Sequence, residues 1–265
     1  MSDLTKAWKL YSLTSIIKSS ISWLISDYYV VSFRKSGRTW LRMIWARILE
    51  QQYSKNINLD TQFMALLTKA PKLTFSHGGT TKTNNPLSFP RWLQRKKVIF
   101  LARDPRDVVV SLYHDYTKRH GGYTGSISSF IRDDNFGLPA IILFMNQWAK
   151  HLQSNQKSLL LSYEQLSANP AETTYQFLAF VGHSAPPEII QEALSYASFS
   201  NMRAMEAQGT IADQRLLPTD KKDTATYKTR KGKVGSYKEE LGVEDQLYVD
   251  QMVNEKLDKV FGYDV

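Results

Sequence analysis

A short apolar run, Tyr28 to Phe33, passes through the basic turn Arg34–Gly37 directly into an amphipathic stretch, Arg38 to Gln52. A buried strand that leads straight into a helix is typical of α/β proteins, in which helices cover both faces of a parallel sheet. Further apolar strands are predicted at Leu73–Ser76, Val98–Ala102 and Leu159–Tyr163. The sequence therefore predicts a three-layer α/β/α fold with a central, mostly parallel sheet.

Two dipeptides mark the beginnings of helices. Asp104-Pro105 and Asn169-Pro170 each combine an N-cap residue type with a proline at the first helical position. In open parallel sheets, ligands bind at the carboxyl edge of the strands. The turn after Phe33, Arg103 and Tyr163 all follow predicted strands, so we expect the functional site there.

Length, cysteine content and charge exclude some classes of function but leave several open. A chain of 265 residues fits a single domain, and the absence of cysteine excludes disulfides and thiol chemistry. A net charge of +9 favours an anionic partner. A nucleotide, a nucleic acid, a sulfated polymer and a membrane surface all remain open on charge alone.

The N-terminal segment, residues 1–26, carries apolar residues at helical spacing. We expect a helical arm that packs on the domain, with weak association with a membrane surface as the alternative. We find neither a secretory signal nor an apolar run of about 18 residues, which a membrane span would need. The expected location is therefore the cytoplasm.

The first candidate motif is the segment Arg34–Trp40, RKSGRTW, between a strand and a helix. A helix N-terminus offers unpaired N–H groups and a positive dipole end, and Gly37 allows close approach of a phosphate. Lys35 adds a charge, while Ser36 and Thr39 add hydroxyl groups. The motif is not a Walker A loop, because the lysine precedes the glycine. A basic turn without a ligand is the alternative.

The second motif, RDPRDVVVS, begins at Arg103 and ends at Ser111. An arginine fork with a nearby hydroxyl suits a terminal phosphate. Asp104 and Asp107 are interpreted as helix caps, because acidic residues belong in the first turn. The alternative for Arg103 is an ion pair with one of these aspartates.

The third motif lies in the glycine-containing basic segment Thr229–Lys238, which reads TRKGKVGSYK. Such a segment can bind an anion through its lysines and arginines. A solvated basic loop or a general polyanion-binding patch is the alternative.

Taken together, the three motifs resemble those of the sulfotransferases that use 3'-phosphoadenosine 5'-phosphosulfate (PAPS). That family carries PKSGTTW after its first strand, then an arginine and serine pair for the 3'-phosphate, and a late RKGxxGDW segment. The order and approximate spacing are the same here. The resemblance implies the sulfotransferase fold, which is similar to that of P-loop nucleotide kinases, in one domain spanning 1–265. It also implies that residues 208–238 form a flexible basic loop over the nucleotide.

The resemblance further implies where PAPS, or its product PAP, would bind. Trp40 would stack on the adenine, although a place in the core is the alternative for this residue. The implied nucleotide-binding residues are Arg34, Lys35, Ser36, Gly37, Arg38, Thr39, Trp40, Arg103, Ser111, Tyr163, Ser198, Phe199, Met202, Arg230, Lys231 and Gly232.

For catalysis, the resemblance points to His77 and Lys35. His77 ends a predicted strand and would act as the base, since a neutral imidazole can accept a proton near pH 7. Lys35 would stabilise the departing phosphate. The family often has a lysine two residues before the histidine, where this chain has Phe75. Arg38, which replaces a usual threonine, is a candidate to compensate for that missing lysine.

We therefore expect transfer of a sulfonate group from PAPS to a hydroxyl or amine of a small organic acceptor, without a metal. Acceptors that are carbohydrates or glycolipids stay open, as does a monomer or a homodimer. A nucleotide kinase and a non-catalytic polyanion binder are the rivals, while nucleic acid is not expected as a partner. Aromatic residues in variable stretches are expected to shape the acceptor site: Tyr113, Tyr116, Tyr123, Phe136, Phe144 and Trp148.

Overall fold

A computed structural model describes most of the chain. The described residues are 26–54, 68–77, 96–119, 121–210 and 217–264. Residues 1–25 of the predicted N-terminal arm lie outside these ranges.

The described strands form one parallel sheet in the order β2-β1-β3-β4. Parallel pairing throughout this sheet agrees with the predicted α/β fold. The strands are β1 (Tyr28–Val31), β2 (Leu73–Ser76), β3 (Lys97–Ala102) and β4 (Ser158–Ser162).

Helices connect and cover the strands. They are α1 (Arg38–Tyr53), α2 (Pro105–His114), α3 (Ile127–Ile131), α4 (Leu138–Ser154), α5 (Tyr163–Ala168), α6 (Pro170–Val181), α7 (Pro187–Tyr196), α8 (Phe199–Gln208), α9 (Tyr237–Glu240) and α10 (Val243–Lys256). A π-helical turn, Asp115–Arg119, directly continues α2.

Successive side chains of β1 point to opposite faces of the sheet, and each face is covered by helices. Tyr29 and Val31 face a core cluster with residues of α2, α4 and α10, whereas Tyr28 and Val30 face another with α1, α6 and α7. Each cluster contains a fully buried tryptophan, Trp148 in the first and Trp45 in the second. β1 and β3 are buried on both faces, so they have no solvent-facing positions for polar side chains and are apolar almost throughout.

The boundaries differ slightly from the predictions. Strand β1 ends at Val31 and not at Phe33, and β4 ends at Ser162, one residue earlier than predicted. The reason at β4 is a capping box, in which Ser162 and Gln165 hydrogen-bond each other's backbone N–H groups, so that Tyr163 begins a helix. Asn169 is the N-cap residue of α6 and Pro170 its first residue, as predicted, although the Asn169 side chain forms no cap hydrogen bond.

Residues near position 263 are tied to the middle of the chain. The guanidinium of Arg106 donates to the Tyr263 carbonyl over 3.2 Å, and the Tyr263 hydroxyl donates to Glu164 over 2.8 Å. The Phe261 ring lies 5.6 Å from that of Phe100, centroid to centroid. These contacts close the side of the sheet that carries α10.

Candidate active site

The carboxyl ends of the strands open into a cavity of about 690 Å³. Lys35 follows β1, His77 follows β2, Arg103 follows β3 and Tyr163 follows β4, and all four side chains line it. Parallel strands bring these sequence-distant residues to one edge. A shallower depression of about 640 Å³ lies at the opposite edge, next to Tyr28 and Lys97, away from every predicted motif.

The three motifs converge on this cavity. Of the predicted site residues, Ser36 is buried beneath the turn and does not line the cavity. Those that do line it are His77, Arg34, Lys35, Gly37, Arg38, Thr39, Trp40, Arg103, Ser111, Tyr163, Ser198, Phe199, Met202, Arg230, Lys231 and Gly232. Their individual roles stay predictions.

The turn after β1 has an unusual backbone. Lys35 adopts a φ of 69° and Gly37 a φ of 88°, both in the left-handed region. A non-glycine residue there costs free energy, and such strain is concentrated at functional sites. A Cβ atom on Gly37 would lie 2.6 Å from Cδ2 of Tyr163, so the turn needs glycine for space as well as for φ. Successive N–H groups in such turns form anion-binding concavities.

Arg103 supports this turn and faces the cavity. Its Nη1 donates to the Lys35 carbonyl over 3.0 Å, and its Nη2 lies 3.6 Å from Asp107 Oδ2. Its guanidinium lies over the Tyr163 ring at 4.2 Å. The predicted alternative, an ion pair, is therefore present, yet the buried Nε has no hydrogen-bond partner. Trp40 meets the Tyr163 ring edge-on at 5.6 Å, so it lies at the cavity wall.

His77 is held between two neighbours. Its Nδ1 lies 3.3 Å from the Ser32 carbonyl, and its Nε2 lies 2.5 Å from Nη2 of Arg38. A carbonyl can only accept and a guanidinium can only donate, so Nδ1 carries the proton and Nε2 is the acceptor. Burial, followed by the charge of Arg38, lowers the pKa of His77 to about 3. The ring is therefore neutral at physiological pH, with its basic nitrogen inside the cavity.

Lys35 forms an ion pair that the sequence did not suggest. Its Nζ lies 2.9 Å from Asp115 Oδ1. Burial lowers the pKa of Lys35, and the Asp115 carboxylate opposes that shift. Asp115 is the first residue of the π-helical turn, and Arg119, its last residue, also lines the cavity. Single π-helical turns of this kind occur frequently at functional sites.

Asp107 has a role different from the predicted helix cap. Its carboxylate accepts hydrogen bonds from the Gly235 N–H at 2.8 Å, the Tyr237 N–H at 3.0 Å and the Ser236 hydroxyl at 3.2 Å. Asp104 does cap α2, since it accepts from the Arg106 N–H at 2.9 Å. Asp107 instead joins the third motif to the second.

The third motif is anchored from a second side as well. Nη1 of Arg203 donates to the carbonyls of Thr229 and Arg230, at 2.9 Å and 2.8 Å. Arg230 forms a two-pronged ion pair with Glu240, at 2.7 Å and 3.0 Å. These contacts hold the segment beside the cavity, with Arg230 and Lys231 among the lining residues.

Several cavity residues were missed as members of the nucleotide-facing site: Asp115, Arg119, Glu206 and Lys228. Asp115 lies one helical turn after Ser111, so helical spacing could have placed it on the same face. Glu206 lies on α8, one helical turn after Met202, so helical spacing could have indicated it as well. Lys228 lies within the basic segment predicted to cover the nucleotide, but no local pattern singled it out.

The expected aromatic acceptor surface is not found at this cavity. Phe144 and Trp148 are buried in the core beside β3. The remaining aromatic residues pack around the buried ring of Phe130 and not against the cavity: Tyr113, Tyr116, Tyr123 and Phe136. For Phe144 and Trp148 the prediction is wrong, because an aromatic residue in a variable stretch can pack in the core as readily as it can line a pocket. For the other four residues, a place at the acceptor site stays a prediction.

Two further observations concern the described residues only. Within those ranges, no helix combines the length and apolar character that crossing a bilayer requires. Over the same ranges, no group of three or more histidine and carboxylate side chains is arranged to hold a metal ion.

Comparison with known proteins identifies the family. The profile of the sulfotransferase domain matches residues 26–261. The chain belongs to the sulfotransferase family and is a sulfotransferase, as the three motifs indicated.

Characterised relatives match over most of the chain. Mouse sulfotransferase 1A1 is 28% identical over 249 residues, which cover 84% of this chain and 82% of the relative. The 3-beta-hydroxysteroid sulfotransferase of Cavia porcellus is 26% identical, with 87% and 83% covered.

Solved structures share the fold. Mouse sulfotransferase SULT7A1 in complex with PAP has a TM-score of 0.64 at 20% identity, covering 87% of this chain and 84% of that one. Retinol dehydratase in complex with retinol and PAP has a TM-score of 0.61 at 18% identity, with 87% and 80% covered. These similarities confirm the predicted α/β sulfotransferase fold.

Proposed function

We propose that this sulfotransferase takes its sulfonate group from PAPS and transfers it to a hydroxyl or amine of a small organic acceptor. The observation that carries the proposal is the convergence of Lys35, His77 and Arg103 on one cavity, each at the end of a different strand. Structural neighbours of this fold were solved with PAP, and one of them also holds retinol.

The cavity residues fit a nucleotide with several phosphates. Arg103 Nε is buried without a hydrogen-bond partner. An unsatisfied buried donor is unfavourable, so this group is suited to a ligand oxygen. Arg103, Ser111 and Arg230 would hold the 3'-phosphate, while Lys35 and the turn up to Thr39 would hold the 5'-phosphosulfate.

In the proposed mechanism, PAPS supplies an activated sulfonate group whose leaving group is a phosphate. Neutral His77 accepts the acceptor's proton at Nε2, and the Ser32 carbonyl keeps the other nitrogen protonated. Arg38 must first release Nε2, because its guanidinium occupies the same lone pair. Lys35 provides fixed positive charge beside the leaving oxygen, where charge grows during the reaction.

Arg38 has a second role in this proposal. Its guanidinium lies beside the base, so it is placed to compensate for the lysine that Phe75 replaces. If the Arg38 guanidinium moved toward the sulfonate group, it would release Nε2 of His77. The same movement would stabilise the negative charge of the sulfonate. Replacement of Arg38 by threonine should therefore lower turnover, and unchanged turnover would remove this role.

Thermal-shift measurements test the donor. PAP should raise the unfolding temperature, whereas ATP with Mg²⁺ should not, and heparin should act only weakly at physiological salt. In the Arg103→Ala variant, PAP should no longer raise the unfolding temperature. Stabilisation by ATP with Mg²⁺ but not by PAP would favour a kinase, and stabilisation by heparin alone would favour a polyanion binder.

Activity measurements test the base. A panel of phenols, alcohols, amines and sugars with labelled PAPS would first identify an acceptor. The His77→Ala variant should then lose at least about 100-fold in kcat while PAP binding is retained. His183→Ala is the matched control, because His183 also has a pKa lowered by burial but lies away from the cavity, hydrogen-bonded to Gln52.

A further inference from the structure

Lys228 differs from the other cations that line the cavity. Most of those side chains are committed to partners: Lys35 to Asp115, Arg38 to His77, Arg119 to backbone carbonyls, and Arg230 to Glu240. Within the described residues, the ammonium of Lys228 has neither a hydrogen bond nor an ion pair. It is a cation without a partner in an anion-binding cavity.

The position of Lys228 is fixed by its neighbours in the chain. The Tyr227 hydroxyl donates to the Lys221 carbonyl over 2.8 Å, and the Thr229 N–H lies 3.3 Å from the Glu206 carboxylate. Tyr227 and Thr229 are buried, whereas Lys228 is open to the water of the cavity. The backbone therefore presents this side chain to the cavity and leaves its ammonium available.

The charges around Lys228 indicate which part of the cavity it faces. Lys35, Arg119 and Arg38 act on it electrostatically, and Asp115 opposes them. The positive charge of Lys228 in turn contributes to lowering the pKa of His77. These neighbours surround the expected base and leaving oxygen, and they are not the residues assigned to the 3'-phosphate.

We propose that Lys228 is a further binding residue of the reacting centre and that its ammonium contacts the sulfonate oxygens of the donor. The proposal rests on PAPS being the donor. An anion between Lys228, Lys35 and Arg38 would offset the repulsion among these three cations. The sulfonate is the anionic group that PAPS has and PAP lacks, so the two nucleotides distinguish this contact from contacts with phosphate.

Calorimetric titration with PAPS and with PAP tests the contact without any acceptor. In the Lys228→Met variant, PAPS binding should weaken by about tenfold, as expected for the loss of one charge-assisted contact, while PAP binding changes less than twofold. The Lys228→Arg variant should retain most of the preference for PAPS. Thermal unfolding of each variant without nucleotide checks that the fold is intact.

Lys233→Met is the matched control, because Lys233 lies in the same basic segment but is exposed and paired with Glu239. It should leave the binding of both nucleotides unchanged. Equal weakening of PAPS and PAP in Lys228→Met would show a contact with phosphate and overturn the proposal, as would no change in either. Failure of the unaltered protein to bind PAPS and PAP would overturn the proposed function and this contact together.

Discussion

The ammonium of Lys35 lies 2.9 Å from the carboxylate of Asp115, although the two residues are 80 positions apart in the chain. The lysine of the turn after β1 therefore already has an anionic partner from the end of α2. A bound phosphate would have to share this ammonium with Asp115 or displace it. The ion pair thus sets a limit on how tightly Lys35 binds a nucleotide.

Neutralising Asp115 should tighten PAP binding at pH 7. The Asp115→Asn variant removes a carboxylate that both competes for Lys35 and repels an anion, so we expect the dissociation constant to fall about three- to tenfold. Calorimetry measures this value directly. Asp134→Asn, at an exposed position, is the control. Weaker PAP binding in Asp115→Asn would instead show that the carboxylate holds Lys35 in its binding position.

Replacing Arg38 should change the titration of His77. Burial and the Arg38 charge lower the pKa of His77 to about 3, so its ring signals should not change between pH 7 and pH 5. In Arg38→Thr, loss of the nearby positive charge should raise the pKa of His77 toward the usual histidine range. Nuclear magnetic resonance of the ring, assigned through His77→Ala, measures the shift.

The control for this titration is Arg42→Thr, one helical turn farther along α1, where Arg42 lies over the Phe75 ring. Its loss should leave the His77 titration nearly unchanged. If His77 in the unaltered protein becomes protonated between pH 7 and pH 5, burial does not lower its pKa as described. An unchanged pKa in Arg38→Thr would exclude the proposed electrostatic coupling.

Removing the Asp107 carboxylate should detach the basic segment. The Asp107→Ala variant leaves three donors, from Gly235, Ser236 and Tyr237, without their acceptor, and it also removes the partner of Arg103. We expect the free energy of unfolding to fall by about 3 kcal/mol and PAP affinity to fall with it. Denaturant unfolding and calorimetry measure the two effects. Asp107→Asn should be intermediate, because the amide oxygen can still accept.

An added methyl group on Gly37 should disturb the turn after β1. Gly37→Ala places a Cβ at a φ of 88° and 2.6 Å from the Tyr163 ring. We expect a loss of about 2 kcal/mol in the free energy of unfolding and at least a tenfold loss of PAP affinity. Gly242→Ala is the control, since Gly242 has a φ of −65° and open space around it. If Gly37→Ala and Gly242→Ala changed the free energy of unfolding and PAP affinity equally, the requirement for glycine at position 37 would be contradicted.

The sequence predicted the framework of the site well, for local reasons. Apolar runs with turn residues on either side identify β1 and β3, and Asp104-Pro105 marks the beginning of α2. Each of these signals depends on residues within one or two turns of each other. Because parallel strands align their carboxyl ends, correct strand positions were enough to predict which motifs converge.

Contacts between distant segments were not predictable in the same way. Asp107 was interpreted as a cap because its local context fits one, but its partners lie about 130 residues later, at Gly235 and Tyr237. Lys228 lies in the basic segment predicted to cover the nucleotide, but no local pattern singled it out, since its place depends on Glu206 and the anchored segment. Phe144 and Trp148 were wrongly expected at the acceptor site, because nothing in the sequence distinguishes an aromatic residue that lines a pocket from one that packs in the core.

The contacts of Tyr263 have a consequence for synthesis of the protein on the ribosome. Glu164 and Arg106, which meet Tyr263, lie at the ends of the central strands and are translated long before it. Domains fold as units during synthesis, and surfaces exposed in the meantime are prone to aggregate. The side of the sheet carrying Phe100 can be covered fully only after residue 263 has left the ribosomal tunnel. Nascent chains of this protein should therefore depend on chaperones until Tyr263 has emerged from the ribosome.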